Sequence, residues 1–323
     1  MHQTPTFTSA CLIPTYNGER GLQKLIDSVK NQTIDSQIFI ADSASIDGTV
    51  TIAIENGIEI THIPKSEFNH GGTRQLLVEQ YQHYEVLIFL TQDAYLSDSF
   101  ALEKMLSYFK DPEVGAVCGR QLPHVDANSI AQHARLFNYP EESTVKSLED
   151  VSRFGIKTAF ISNSFAAYRT KALNKIGGFP SDVILSEDMY VASKMLLDGW
   201  KIVYSGESNC NHSHNYTILE EARRYFDIGV FHAREPWIRK TFGSAEGEGF
   251  RFIKSELQFL RSQKKWFLWP EALLRNAIKL TAYKVGQNEH LIPHGLKRRL
   301  GMNRSFWLNK GTQANKRSYP PSL

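Results

Sequence analysis

Cysteine is scarce in this sequence: Cys11, Cys118 and Cys210 are the three in 323 residues, far apart and without a C-x-x-C pair. Their scarcity excludes a disulfide framework and a thiolate metal centre, and fits a reducing, cytoplasmic setting. Long apolar runs are missing too. No uninterrupted stretch approaches the ~18 residues of a membrane-spanning helix, and the opening M-H-Q-T-P-T-F-T-S-A has no basic segment followed by an apolar one. The expectation is a chain that neither spans a membrane nor leaves the cell by a signal peptide. Internal repeats and low-complexity tracts are also absent, so neither a solenoid nor a disordered linker is indicated.

Acidic residues almost disappear after residue 250. Residues 251–323 hold 15 Lys+Arg against 3 Asp+Glu, a net +12, whereas residues 1–250 hold 22 against 31, a net −9. The basic tail is interleaved with Phe252, Phe259, Trp266, Phe267, Trp269, Tyr283 and Trp307. Apolar side chains that enter an interface beside cations that meet lipid headgroups suit an anionic membrane surface. Nucleic acid is the competing partner for a basic patch and is set aside, and a solvated helical appendage is the plain alternative. The expected division is a catalytic domain over 1–245 and a helical, basic, aromatic-rich extension over 246–323.

What is present is organised around Val86 to Ala94, V-L-I-F-L-T-Q-D-A. Consecutive large apolar residues from Val86 to Leu90 suit a strand covered on both faces, as in a parallel sheet. Thr91, Gln92 and Asp93 then fall at its carboxyl end, where open α/β sheets bind ligands. Ala10 to Ile13 and Ile38 to Ala41 read as two further buried strands, with a short third over Glu59 to Ile63. Leu22, Leu25, Ile26 and Val29 keep a helical period between the first two. Helices are expected from Asp47-Gly48-Thr49 to about Glu55, from about Thr73 to Gln82, and from near Asp98 to Lys110, then a strand at Gly115 to Cys118. This alternation predicts a right-handed, doubly wound sheet. Residues 121–156 are polar and irregular. Beyond them, Ile161 to Tyr168 reads as a strand, Arg169 to Ile176 as a short helix, Glu187-Asp188 as a helix start, and Lys201 to Tyr204 as a strand.

The strands of the first half end in polar groups: Pro14-Thr15-Tyr16-Asn17, then Asp42-Ser43-Ala44-Ser45-Ile46-Asp47-Gly48-Thr49, then Gln92-Asp93-Ala94, with Glu187-Asp188 later. In this order and spacing they resemble glycosyltransferase family 2, the inverting GT-A fold enzymes, over residues 9 to about 240. Phe68-Asn69-His70-Gly71-Gly72-Thr73-Arg74-Gln75, Thr91-Gln92-Asp93-Ala94, Cys118-Gly119-Arg120-Gln121-Leu122-Pro123, His212-Ser213-His214-Asn215-Tyr216 and Tyr225-Phe226-Asp227 are similar to bacterial O-antigen rhamnosyltransferases that use dTDP-L-rhamnose. The fold class implied is α/β, a GT-A, Rossmann-like, mostly parallel sheet.

The resemblance assigns roles. Asp42 accepts the imide N–H of a pyrimidine ring and Tyr16 offers an aromatic face, with Pro14, Thr15, Asn17 and Ser43 around the nucleotide; an Asx-turn cap is the plain alternative for Asp42 and a packed surface aromatic for Tyr16. Gly72 and Arg74 stand at a helix start where amides and a guanidinium favour diphosphate, Gln92 completes the nucleotide-sugar site, and an ordinary helix-entry loop is the alternative. Asp93 holds Mg2+ or Mn2+ against the donor diphosphate, with His212 as a second ligand and His214 facing the same side. Neutral Gln92 and Ala94 depart from the usual paired acids, which weakens that site. Asp188 is the expected general base, tuned or assisted by Glu187; two first-turn acids stabilised by the helix dipole are the alternative.

The expectation is therefore an inverting transferase moving L-rhamnose from a nucleotide-sugar donor, dTDP-β-L-rhamnose, to a polyprenyl-diphosphate-linked saccharide, held at the cytoplasmic face of the cell membrane. Its rivals are a family member using a UDP-sugar and a non-catalytic sugar- or nucleotide-binding protein of the same fold. A nucleotidyltransferase is disfavoured because no Gly-rich, Arg/Lys-bearing loop follows the first strand.

Overall fold

The computed structural model describes residues 7–243 and 248–308. The elements run β1 (Ser9–Thr15), α1 (Glu19–Lys30), β2 (Gln37–Asp42), α2 (Thr49–Glu55), β3 (Glu59–His62), α3 (His70–Gln80), β4 (Val86–Leu90) and β5 (Tyr95–Leu96). They continue with α4 (Ala101–Ser107), β6 (Val114–Leu122), α5 (Ser129–Asn138), β7 (Thr144–Lys146), α6 (Val151–Phe154), β8 (Phe165–Arg169), α7 (Thr170–Lys175), α8 (Glu187–Leu197) and β9 (Lys201–Asn211). Helices close the chain: α9 (Ile218–Arg234), α10 (Pro236–Phe242), α11 (Glu248–Ser262), α12 (Trp269–Gln287), α13 (His294–Leu300) and α14 (Arg304–Leu308).

The nine strands form one sheet in the order β3-β2-β1-β4-β8-β6-β9-β5, with β7 beside β9. Strands β1 to β4, β6 and β9 share one direction, and β5, β7 and β8 oppose it. The parallel β-α-β half is as expected. Antiparallel β8, inserted between β4 and β6, belongs to the stretch whose alternation had loosened. All of β4 is buried, and its side chains divide by the two-residue period of a strand: Leu87 and Phe89 enter one core, Val86, Ile88 and Leu90 the other. The apolar stripe of α1 covers the second core with Leu22, Leu25, Ile26 and Val29.

Several boundaries move, each for a local reason. Helix α3 begins at His70 rather than Thr73, because Asn69 is extended and its side chain accepts the Gly72 N–H at 2.8 Å. The helix expected near Asp98 starts at Ala101, since Tyr95–Leu96 pairs with the end of β9 and Asp98 Oδ1 accepts the Phe100 N–H. The irregular stretch after residue 121 contains α5, whose Asn128 cap accepts the Ala131 N–H. Strand β8 covers only Phe165–Arg169; residues before it form the loop that carries Asn163. Strands β6 and β9 run on to Leu122 and Asn211, well past their expected ends, and so carry Gln121 and His212 to the carboxyl edge of the sheet.

The expected boundary at 245/246 lies outside the described residues. The helices beyond it pack on the rest of the chain. Helix α12 crosses α9 so closely that a Cβ on Gly286 would stand 2.1 Å from the Phe226 carbonyl oxygen. Trp307 and Phe306 belong to the larger core. Asp227 accepts from the Met302 and Asn303 amides and from Asn303 Nδ2. Most tail aromatics are turned inward. Phe252 and Phe259 pack on His133, Trp269 Nε1 donates to the Leu257 carbonyl, and the Tyr283 hydroxyl meets His232, leaving Trp266 and Phe267 exposed. No helix among the described residues is long and apolar enough to cross a membrane.

Candidate active site

The tips of β1, β2 and β4 are tied together by side chains. Asp42, buried, accepts from the Thr15 hydroxyl at 3.0 Å, the Ser45 amide at 3.0 Å and the Ser45 hydroxyl. The turn-cap contacts are thus present, and the carboxylate keeps acceptor capacity on Oδ2 beyond these three donors. Asn17, in the left-handed region at φ 49°, accepts the Ile46 N–H with Oδ1, while the Ser43 amide donates to the Thr15 carbonyl. Pro14 lies one residue earlier in the parallel register, opposite Ala41. Tyr16 is half-exposed; its hydroxyl accepts from Lys65 Nζ at 2.7 Å. Gln92 clamps the turn after β1: its Oε1 accepts the Tyr16 N–H at 2.8 Å and its Nε2 donates to the Tyr16 carbonyl at 3.0 Å, one donor and one lone pair of the amide. A Cβ on Gly18 would stand 2.6 Å from Gln92 Oε1, so the turn after β1 needs glycine there.

Asp93 leaves the end of β4 facing the loop after β9. His212 Nε2 lies 3.5 Å and His214 Nδ1 3.7 Å from Asp93 Oδ2. Among the described residues these are the three that offer ligand atoms within 4.8 Å of one another. His212 is oriented from behind: its Nδ1 is 2.8 Å from Gln121 Oε1, which also accepts from Arg135. Because that oxygen can only accept, Nδ1 carries the proton and Nε2 turns its lone pair toward Asp93. Burial pushes the His212 imidazolium down despite Asp93, and burial followed by His212 pushes His214 to about 4. Burial works to raise the Asp93 carboxyl, yet its neighbours His212, His214 and Thr91 hold it well below the usual carboxylate range. At neutral pH the outcome is an ionised carboxylate facing two neutral imidazoles, three lone-pair donors with no cation of their own. That donor set fits a divalent ion, and His214 joins the expected pair.

The second carboxylate centre sits at the start of α8, after Ser186 in the left-handed region at φ 59°. Glu187 is 6% exposed. Its Oε1 lies 3.0 Å from Arg74 and accepts from Asn163 Nδ2 at 3.1 Å, while the Tyr168 hydroxyl donates to Asn163 Oδ1 at 2.7 Å. Burial favours the neutral Glu187, but Arg74 and then His70 outweigh it and the carboxyl is lowered. Asp188 goes the other way. Burial, then the Glu187 charge, raises it to about 6, against the pull of the Met189 and Asn163 amides at 2.8 and 3.2 Å. Neighbouring acids driven apart in this way mark a fixed anion and a poised base.

Two residues expected at the diphosphate have partners within the chain. Arg74 is 5% exposed and its guanidinium meets Glu187 and the His70 carbonyl, each at 3.0 Å. The Gly72 N–H is taken by Asn69. His70 is a structural hydrogen-bonder, its Nε2 3.2 Å from Asn303 Oδ1. Glu187 is enclosed by Arg74 and Asn163, and its charge helps to raise Asp188. Gln121, Arg135 and Asn163 carry no catalytic signature of their own. Gln121 and Arg135 become visible only when the ends of β6 and β9 meet, and Asn163 only when its loop reaches α8.

The sheet order, the three lone-pair donors at its carboxyl edge and the poised carboxylate at a helix start define a GT-A glycosyltransferase. The model of glycosyl transferase family 2 matches residues 10–177, and the chain belongs to that family. It is 49% identical over 300 residues to the O-antigen chain rhamnosyltransferase RfbN of Salmonella typhimurium, covering 92% of this chain and 95% of that protein. With the O-antigen chain rhamnosyltransferase WbaN of Salmonella anatum it shares 47% identity, over 94% and 96% of the two chains. The structure of the mannosyltransferase PcManGT from Pyrobaculum calidifontis, in complex with GDP-Man and Mn2+, superposes with a TM-score of 0.62 at 16% identity. That superposition covers 89% of this chain and 88% of the other, a likeness of fold.

Proposed function

We propose that this chain is an inverting rhamnosyltransferase that moves L-rhamnose from dTDP-β-L-rhamnose to a lipid-linked saccharide in O-antigen synthesis. The observation that carries the chemistry is the divided pair at the start of α8: Glu187 neutralised by Arg74, Asp188 raised to about 6. A base of that strength accepts a proton at neutral pH. Asp188 takes the acceptor hydroxyl proton as that oxygen bonds to the anomeric carbon, and the bond from that carbon to the donor diphosphate breaks on the opposite face. Inversion of a β-donor gives an α-linked product. Asp93, His212 and His214 would hold Mg2+ or Mn2+, which supplies positive charge against the departing diphosphate. Tyr16, Asn17 and Ser43 shape the nucleotide end of the crevice, with Gln92 holding the Tyr16 backbone in place. The named relatives support rhamnose as the sugar transferred.

The working place in this proposal is the inner face of the cell membrane. Trp266 and Phe267, 66% and 63% exposed, stand beside Lys264 and Lys265 at the turn between α11 and α12, and Leu273, Leu274 and Leu280 are exposed along α12. Exposed aromatics, leucines and lysines of this kind suit the headgroup layer of an anionic leaflet.

Calorimetric titration with dTDP, UDP and GDP, each with and without Mn2+, tests the donor. Metal-dependent preference for dTDP, followed by transfer from dTDP-rhamnose to a lipid-linked acceptor, is expected. Preference for UDP would overturn the sugar and keep the chemistry, and no binding would overturn both.

A further inference from the structure

A cavity of about 330 Å3 opens between α5, α9 and α12, and the donor chemistry does not need it. One wall is His214, which also faces Asp93; another is Phe160, three residues before the asparagine whose amide holds Asp188. The cavity thus runs alongside the reaction centre from the metal-binding side to the loop that supports the base. We propose that it binds a phosphate group attached to the acceptor saccharide. This deepens the transferase reading and rests on it for the word acceptor.

The cations in the wall carry the argument. Arg135 comes from α5, Arg224 from α9, and Arg275 and Lys279 from α12. The acidic group lining the cavity with them is Glu221, shared by Arg275 at 2.9 Å and Lys279 at 3.2 Å; Arg275 also pairs with Glu271 and donates to the Tyr216 carbonyl. Arg135 is held on Gln121 and Tyr139, and Arg224 stands exposed at the edge. Lys279 is 7% exposed. Four cations, set against Glu221 in the wall and Glu271 behind Arg275, leave the cavity with a positive surplus, which an anion of fixed geometry completes. Guanidinium forks suit phosphate oxygens, and Tyr216, Tyr225 and Phe252 provide flat faces for the C–H edges of a sugar.

The same helix points to the rest of the ligand. Arg275 and Lys279, four residues apart, share the face of α12 turned to the cavity, while Leu273, Leu274 and Leu280 lie exposed on the other side. An acceptor whose phosphate joins a saccharide to a lipid meets both surfaces of one helix. The donor diphosphate is a different anion in this reading, its metal held by Asp93, His212 and His214, of which His214 alone lines the cavity.

The test titrates farnesyl diphosphate, farnesol and inorganic pyrophosphate into the full chain in EDTA, so that no cation at Asp93 competes for phosphate. Farnesyl diphosphate should bind the unaltered protein and bind Arg224→Gln and Arg275→Gln about ten-fold more weakly, with Arg224→Lys restoring part of the loss. Farnesol should not bind. Pyrophosphate binding as tightly as farnesyl diphosphate would mean a free-phosphate site and overturn the acceptor assignment. Equal binding of farnesyl diphosphate by all variants, with circular dichroism showing each folded, would overturn the cavity. In transfer assays the preference for a diphosphate-linked over a neutral alkyl-linked acceptor should fall by a similar factor in Arg224→Gln. If the binding pattern holds while the unaltered protein transfers nothing, the transferase reading fails and the phosphate site stands.

Discussion

Asp188 and Glu187 are neighbours in sequence and opposites in environment, and the difference is made by residues far away. Arg74 meets Glu187 across more than a hundred positions, and Asn163 binds both carboxylates. The side-chain types at 187 and 188 were legible in the sequence; which of them is the free base was a resemblance that the burial of Glu187 supports. Replacing Asp188 by Asn should abolish transfer and leave nucleotide binding nearly intact in calorimetry. The same variant should melt higher at neutral pH. A carboxyl raised to about 6 in the fold binds its proton more tightly there than in the unfolded chain, so it costs stability as pH rises through that window. For the active enzyme the sign runs the other way: transfer requires ionised Asp188, so kcat/KM should rise with pH and level off above about 6. Glu187→Gln should move that rising limb to lower pH, because the charge that raises Asp188 is gone. It should also destabilise the protein by roughly 3–5 kcal/mol in urea titration, since Arg74 would stay buried without its carboxylate.

At the scale of elements, β1, β2, β4 and the α1 stripe followed from periodicity, because two-sided burial leaves a continuous apolar run and one-sided burial a helical stripe. The pairing of β5 with β9 and the long ends of β6 and β9 did not, since each depends on a partner distant in sequence. Those long ends matter for chemistry, because they set Gln121 behind His212. Gln121→Ala should weaken Mn2+ binding by about 10- to 100-fold in calorimetry while the fold persists by circular dichroism, because the imidazole would lose the acceptor that sets its tautomer. Helices α9 and α12 approach backbone to backbone at Gly229 and Gly286. Gly286→Val should cost at least about 1–3 kcal/mol in chemical denaturation, because the added Cβ would stand 2.1 Å from the Phe226 carbonyl oxygen, well inside contact distance.

Over the whole molecule, the acidic first part and basic last part give the chain a polarity that its net +3 conceals. The tail nevertheless belongs to the body of the protein: Asn303 reaches both Asp227 and His70, and Trp307 is 2% exposed. Removing everything after residue 250 would therefore strip the core. A surface change is the cleaner probe of the membrane proposal. Trp266→Ala with Phe267→Ala should reduce binding to anionic liposomes several-fold in sedimentation, in a salt-dependent manner, without lowering the melting temperature. Unchanged binding would return this surface to a solvated one.

The sequence by itself determined the sheet-forming half, the family and the polar strand ends, because burial period and the order of short motifs are properties of nearby residues. The tertiary structure alone decided that Arg74 pairs with Glu187, that Gln92 clamps Tyr16, that His214 stands by Asp93, and that four cations line one cavity. Each of those outcomes is a contest between burial and a partner brought from a distant segment, and the strength of a charge inside a protein depends on that partner's position.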